Sequence, residues 1–188
     1  MTIKVNRPTG TVNFCTDLDT RSAWEDAVEV LEQVRKKEES ARGLTEIADA
    51  ANAVRDLEAR MRASTLRFRL RGLPRKKWQE IAEEHGPRDG NSQDQSMGVN
   101  TSTFFDAVLT EKGVIFAVNK ADTDEVVDFD AAAEWNTLAD DMTDGQWKEF
   151  ADEIVRLNRA VTAPPFSRAA SLLTQGSGEI SEQPDASA

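Results

Sequence analysis

The chain has 188 residues, with 34 Asp and Glu against 23 Lys and Arg, and its formal net charge is −11. This length suffices for one domain with a core together with mobile segments, and the negative charge argues against a general affinity for nucleic acid or anionic membranes. The only cysteine, Cys15, cannot form an intrachain disulfide or a cysteine-based zinc site. No apolar run approaches a membrane span and the N-terminus lacks the apolar centre of a signal peptide, so a cytoplasmic protein is expected.

The first sixty residues predict two short strands followed by two helices. Alternating apolar residues at Ile3 and Val5, and again at 12–15, predict the strands. A capping box, Ser22-Ala-Trp-Glu25, predicts where the first helix begins. Apolar residues then recur at helical spacing in two runs: Trp24, Val28, Leu31 and Val34, then Leu44, Ile47, Ala51, Val54, Leu57 and Met61. The short connection between them favours an antiparallel hairpin.

The segment 64–87 predicts a strand, a tight corner and a helix. Three apolar residues alternate with three arginines: Leu66, Phe68 and Leu70 with Arg67, Arg69 and Arg71. An extended backbone therefore has an apolar face and a cationic face. Gly72 ends the strand, Pro74 suits the first turn of a helix, and Gly86-Pro87 stops that helix. Because the two preceding helices run out and back, this strand should pair antiparallel with the strand at 12–15.

The second half of the chain begins with a polar segment. Residues 88–100, RDGNSQDQSMGVN, show no periodicity and predict a flexible linker. A hydroxyl residue at 101–103 is then expected to cap a short helix that carries Phe104, Phe105, Val108 and Leu109. The apolar run 114–118 fits either a buried strand or a helical turn. Residues 131–142 predict a helix, and a second capping box at 143–146 opens another that ends near Ala160.

Residues 162–188 are dominated by Pro, Ser, Gly and Gln, and we expect a disordered tail. One apolar stripe at helical spacing predicts a short docking segment for a partner: Phe166, Ala169, Ala170 and Leu173. The sequence therefore predicts an α+β fold that is mostly α-helical. We expect a β-αα-β-α core with a small antiparallel sheet and a protruding helical hairpin over 1–87, a linker over 88–100, a helical part over 101–161, and the tail.

The residues offer no recognisable catalytic machinery. Catalysis needs a nucleophile with a base, or two carboxylates of different acidity, and neither arrangement is apparent, so we predict no catalytic residue, metal site or cofactor and no enzyme. His85, the only histidine, lies at the end of a predicted helix, where we expect it to cap the helix or pack over Trp78. The acid-rich segment 122–130 lacks the glycine turn and final glutamate of a calcium loop and predicts a solvated connection.

A basic stretch forms the candidate charged surface, made of Arg67, Arg69, Arg71, Arg75 and Lys76. Its composition is that of a nucleic-acid surface. However, Phe68 lies on the opposite strand face and cannot stack with bases beside the arginines, and the net charge opposes approach to phosphate. A charged sheet face that meets an acidic protein surface is the favoured interpretation, and a nucleic-acid-binding regulator is the alternative.

Several short motifs occur together in a characteristic order. They are the β-αα-β opening, LRFRLRGLPRKKWQEIAEEHGP at 66–87, the helix start at 100–104, the helix at 147–158 and PFSRAAS at 165–171. This order resembles the tail assembly chaperones of long-tailed phages that infect actinobacteria, in their short, non-frameshifted form. The resemblance implies a non-enzymatic protein of the host bacterial cytoplasm, absent from the mature virion. It also implies three partners, the tape-measure protein, the tail-tube protein and a longer form made by programmed frameshifting, and it leaves self-association open.

Overall fold

A computed structural model describes residues 5–37 and 41–160. Over these residues it contains four strands and seven helices. Their order is β1 (Thr9–Cys15), α1 (Leu18–Lys37), α2 (Ala41–Ala63), β2 (Thr65–Arg71), α3 (Arg75–Glu84), α4 (Ser92–Met97), α5 (Phe104–Thr110), β3 (Ile115–Lys120), β4 (Val126–Val127), α6 (Ala131–Asp140) and α7 (Asp144–Arg159). The predicted α+β fold, mostly helical with a small antiparallel sheet, is confirmed.

The four strands form one antiparallel sheet in the order β1-β2-β3-β4. Phe68 in β2 lies opposite Val12 in β1 and Val118 in β3, so the inner face of the sheet is apolar across its width. A register irregularity between Arg69 and Leu70 interrupts the pairing of β2 with β3. The apolar run 114–118, which was ambiguous in the sequence, contributes to β3, which extends the sheet that β1 and β2 begin.

One core joins the two halves of the chain. The ring of Phe68 makes edge-to-face contacts with Phe14, Phe129 and Phe150, with ring centres 6.1, 5.4 and 5.2 Å apart. Phe150 belongs to α7, which packs on the inner face of β1 and β2. The parts predicted over 1–87 and 101–161 therefore share a single apolar interior rather than two separate cores.

Helices α1 and α2 form the protruding helical hairpin that the sequence predicted. They pack on one another and make few contacts with other elements; none of their described side chains belongs to the main core. The seam between them contains Val54, which is buried, and Trp24, whose indole Nε1 donates to Glu58. Leu44, which the sequence placed in the apolar run of the second helix, is exposed in the first turn of α2, near the tip of the hairpin.

The start of α1 differs from the prediction. The helix begins at Leu18, and the carboxylate of Asp17 accepts from the backbone N–H of Thr20 at 2.9 Å. Ser22, predicted as the capping residue, lies inside the helix and donates its hydroxyl to the carbonyl of Leu18. The strand predicted from Ile3 and Val5 is also not found at Val5, which is 80% exposed and precedes β1; Ile3 lies outside the described residues.

The flexible linker predicted over 88–100 is instead a folded segment that contains α4. Asp94, fully buried, accepts hydrogen bonds from the guanidinium and backbone N–H of Arg88 and from the backbone N–H and hydroxyl of Thr101. The hydrogen-bonded Arg88 guanidinium holds the pKa of Asp94 well below its usual range. Asn91 caps α4, and Gly98 ends it with a φ of 75°. This polar network fixes the crossing between α3 and α5.

The predicted docking segment lies outside the described residues, together with the rest of 162–188. In the ranges 5–37 and 41–160, no helix has the length and apolar character needed to cross a membrane.

Candidate interaction surfaces

The outer face of the sheet carries the arginines of β2. Phe68 and Leu70 are fully buried on the inner face, whereas Arg69 is exposed and Arg67 and Arg71 are partly exposed on the outer face. The predicted separation of an apolar and a cationic face is therefore confirmed. It follows from the two-residue period of a strand.

Each arginine of this face has a neighbour that the sequence did not indicate. Arg67 forms an ion pair with Asp124 in the β3–β4 turn, with 2.5 Å between Nη1 and Oδ1. The guanidinium carbons of Arg69 and Arg71 lie 5.2 and 4.5 Å from the ring centre of Phe116. Such cation–π contacts contribute about 0.5 to 1 kcal/mol each at exposed sites. Phe116 therefore gives the cationic face an aromatic member.

The remaining two residues of the candidate charged surface belong to a different element. Arg75 and Lys76 open α3, beyond the corner at 72–74, and both are exposed. The ammonium of Lys76 lies 3.9 Å from Glu80, one turn along the same helix. The five predicted cations thus occupy a strand face and the first turn of the following helix.

His85 ends α3 as predicted. Its backbone N–H donates to the carbonyl of Ile81, and its Nδ1 shares a hydrogen bond of 2.8 Å with the hydroxyl of Thr103. Trp78 packs elsewhere, with its ring edge-to-face with Phe104 and the guanidinium of Arg159 5.7 Å from the ring centre. His85 therefore connects the end of α3 to the residue before α5.

A groove between α4 and α7 was not predicted. Its volume is about 360 Å³. The apolar lining consists of Met97, Phe105, Trp147, Ala151 and Val155, and the polar lining of Gln93, Thr101, Asp144, Lys148 and Asp152. We call it the α4/α7 groove. The sequence did not reveal it because its α4 wall belongs to the segment predicted as a linker.

The α7 wall of this groove is fixed from behind. Trp147 is partly exposed to the groove, and its indole N–H donates to Oδ1 of Asp106 at 2.9 Å. The same oxygen accepts from the indole of Trp135, which is fully buried, also at 2.9 Å. Phe105 packs edge-to-face against Trp147, with ring centres 5.7 Å apart. A ligand would therefore meet a wall whose geometry is largely preformed.

Over the part of the chain that the structure describes, no group of three or more His, Cys, Asp or Glu side chains is placed to hold a metal ion. The acid-rich segment 122–130 contains the β3–β4 turn and β4. In that turn Glu125 forms an ion pair with Lys120, and Asp124 adopts a positive φ of 57°.

No family model matches the chain, and no curated protein or solved structure shows significant similarity to it.

Proposed function

We propose that this protein is a non-enzymatic phage tail assembly chaperone, acting in the host cytoplasm, that binds an amphipathic helical segment of a tape-measure protein. The observation that supports this proposal best is the α4/α7 groove, which offers an apolar floor on a strongly acidic protein. Its further partners would be the tail-tube protein and a longer frameshifted form of the same chain. The charge would keep the complex in solution while an aggregation-prone partner is held.

The dimensions of the groove suit a helix. Trp147, Ala151 and Val155 recur every four residues along α7 and line one side over about 12 Å, which is roughly two helical turns. A partner helix with apolar residues at i, i+3, i+4 and i+7 presents a stripe of similar length. The neighbouring Lys148 and Asp144 provide charges of both signs that can set its direction.

The test is co-purification with the tape-measure protein of the same phage. Val155→Asp places a charge in the groove and should abolish binding, and Met97→Asp should do the same from the opposite wall. The matched control is Val126→Asp, because Val126 is 74% exposed in β4 and lies outside the groove. If the two groove variants keep their melting temperature and bind as well as the control, the groove is not the chaperone site.

The gene provides an independent test of the longer form. We expect a slippery heptamer near the end of the gene, followed by an overlapping reading frame. A gene that ends without such a frame would remove the longer form from the proposal.

A second candidate function, nucleic-acid binding, is favoured by the cluster of Arg69, which is exposed, with Arg71 and Phe116, which are partly exposed, since guanidinium and aromatic groups together are typical of single-strand surfaces. Its test is the salt dependence of binding to a single-stranded oligonucleotide. Phosphate contacts require affinity to fall linearly with salt on logarithmic axes and to be lost in Arg69→Glu with Arg71→Glu. Salt-independent or undetectable binding would exclude this candidate.

A further inference from the structure

Strand β1 lies at one end of the sheet and, among residues 5–37 and 41–160, pairs only with β2. Two hydrogen bonds flank this strand. The N–H of Gly72 donates to the carbonyl of Pro8, the residue before β1, at 3.0 Å, and the N–H of Thr16, the residue after β1, donates to the carbonyl of Ser64 at 2.9 Å. Hydrogen-bonded pairs alternate along an antiparallel ladder. The even-numbered residues of β1 therefore direct their backbone groups to β2, and the odd-numbered residues direct theirs to the free edge.

The contacts of Cys15 agree with this alternation. Its carbonyl, at an odd position, accepts from the side-chain amide of Gln146 at 2.9 Å and so faces away from β2. The next odd residues, Asn13 and Thr11, have no backbone hydrogen bond to any other described residue on that side. Unpaired donors and acceptors along an edge form a template for another strand.

A groove runs beside this edge, with α7 as its other wall. Its volume is about 410 Å³, and it is lined by Thr11, Val12, Asn13, Glu149, Asp152, Glu153 and Arg156. A Cβ added to Gly10 would lie 1.5 Å from Oε1 of Glu153, which shows how closely the α7 wall approaches β1. The edge therefore borders a groove with a lining of defined charge.

Acidic groups predominate in that lining. The lining contains three carboxylates and one guanidinium, from Glu149, Asp152, Glu153 and Arg156. Arg156 forms an ion pair with Glu153, and Lys148, which does not line this groove, forms one with Asp152. Glu149 has no cationic partner within the described residues. The side chain of Glu153 is 14% exposed and both its oxygens accept from the guanidinium of Arg156, so Glu149 is the carboxylate of this lining that remains open to a partner.

From this geometry we propose that the free edge of β1 binds an extended basic segment of a partner protein as an added antiparallel or parallel strand. Backbone groups of Thr11 and Asn13 pair with the segment, and a Lys or Arg of the segment faces Glu149. A second copy of this chain is disfavoured as the occupant, because pairing two β1 edges would bring two acidic α7 walls together. This inference does not rest on the proposed function, since neither Glu149 nor the edge of β1 lines the α4/α7 groove.

The probe is a fluorescent ten-residue peptide, blocked at both ends, in which lysine alternates with threonine, titrated into the full chain. Thr11→Pro removes one outward N–H and leaves the pairing of β1 with β2 intact. We expect it to weaken binding about tenfold, as expected for lost edge pairing. Glu149→Lys should also weaken binding and should favour the peptide in which glutamate replaces lysine.

Two further measurements test whether the edge itself pairs with the peptide and whether a second copy of the chain occupies it. A lysine peptide methylated on every backbone nitrogen has no backbone donor for the edge in either orientation and should lose binding to the unmodified protein, whether or not Thr11→Pro folds. If the methylated peptide binds equally well, the attraction is only electrostatic and the edge is not the site. If sedimentation shows a dimer that Thr11→Pro dissociates, a second copy occupies the edge and the proposed partner is wrong.

Discussion

Neighbouring residues of β2 provide a sharp test of how the sheet faces the core. Phe68 is fully buried and its ring touches three other phenylalanine rings, whereas Arg69, the next residue, is exposed on the opposite face. We expect Phe68→Ala to destabilise the protein strongly and Arg69→Ala to change its stability little. The two substitutions are matched because both truncate a long side chain in the same central strand.

The structure sets the expected magnitudes. Truncating a buried Phe to Ala typically costs about 3 to 5 kcal/mol, and the three edge-to-face contacts place Phe68 in the upper half of that range. Arg69→Ala removes only a contact with Phe116 over 5.2 Å, worth about 0.5 to 1 kcal/mol. The expected difference in the free energy of unfolding is therefore roughly 3 kcal/mol or more.

Urea denaturation followed by tryptophan fluorescence measures this difference. The free energy of unfolding falls by about 2 kcal/mol per molar urea, so a difference of roughly 3 kcal/mol separates the two midpoints by about 1.5 M. Phe68→Leu, which keeps part of the apolar volume, should fall between them and guards against a variant that does not fold. Coincident midpoints for Phe68→Ala and Arg69→Ala would show that the assignment of the two faces is wrong.

Three other predictions follow from the described contacts. Hydrogen bonds hold the pKa of Asp94 in the folded protein below its ordinary value of 3.8. The ionised carboxylate therefore stabilises the fold above pH 3.8, and this contribution is lost as the pH falls below that value. Asp94→Asn should accordingly lose less stability between about pH 4 and pH 2 than the unmodified protein, as measured by acid titration. Thr143→Ala should cost about 1 kcal/mol in urea, since Thr143 is the N-cap of a capping box at the start of α7, and Thr143→Ser should restore it. Replacing the helical hairpin by a short turn between Cys15 and Thr65, which face each other in register, should leave a protein that unfolds cooperatively on heating; a molten product would show that the hairpin is part of the core.

Local patterns in the sequence determined much of this fold. The two-residue period of β2 fixed which side chains are buried, because successive residues of a strand must face opposite ways. The helical period predicted the hairpin. The motif at 143–146 predicted the start of α7, where both hydrogen bonds of the capping box are present. In each case the residues that decide the structure lie within a few positions of one another.

The predictions that differed from the structure were decided by particular hydrogen bonds that composition and spacing do not specify. Residues 88–100 have the composition of a linker, yet Asp94 gains enough hydrogen bonds from Arg88 and Thr101 to order them. The start of α1 was misplaced because Asp17 and Ser22 both suit a cap, and only Asp17 occupies that position in the structure.

The candidate sites depend even more on tertiary structure. The cationic face of β2 was evident from alternation, but its aromatic member, Phe116, comes from β3, a strand nearly fifty residues away. The α4/α7 groove arises only where α7 packs beside α4, and the groove along the free edge of β1 arises only where α7 packs beside that strand. Sequence patterns of short range identify which face of an element is apolar or charged. Packing and hydrogen bonds between residues far apart in the chain determine which faces meet and which stay open to a partner. The favourable free energy of these contacts must exceed the free-energy cost of the conformational entropy that the residues lose on ordering.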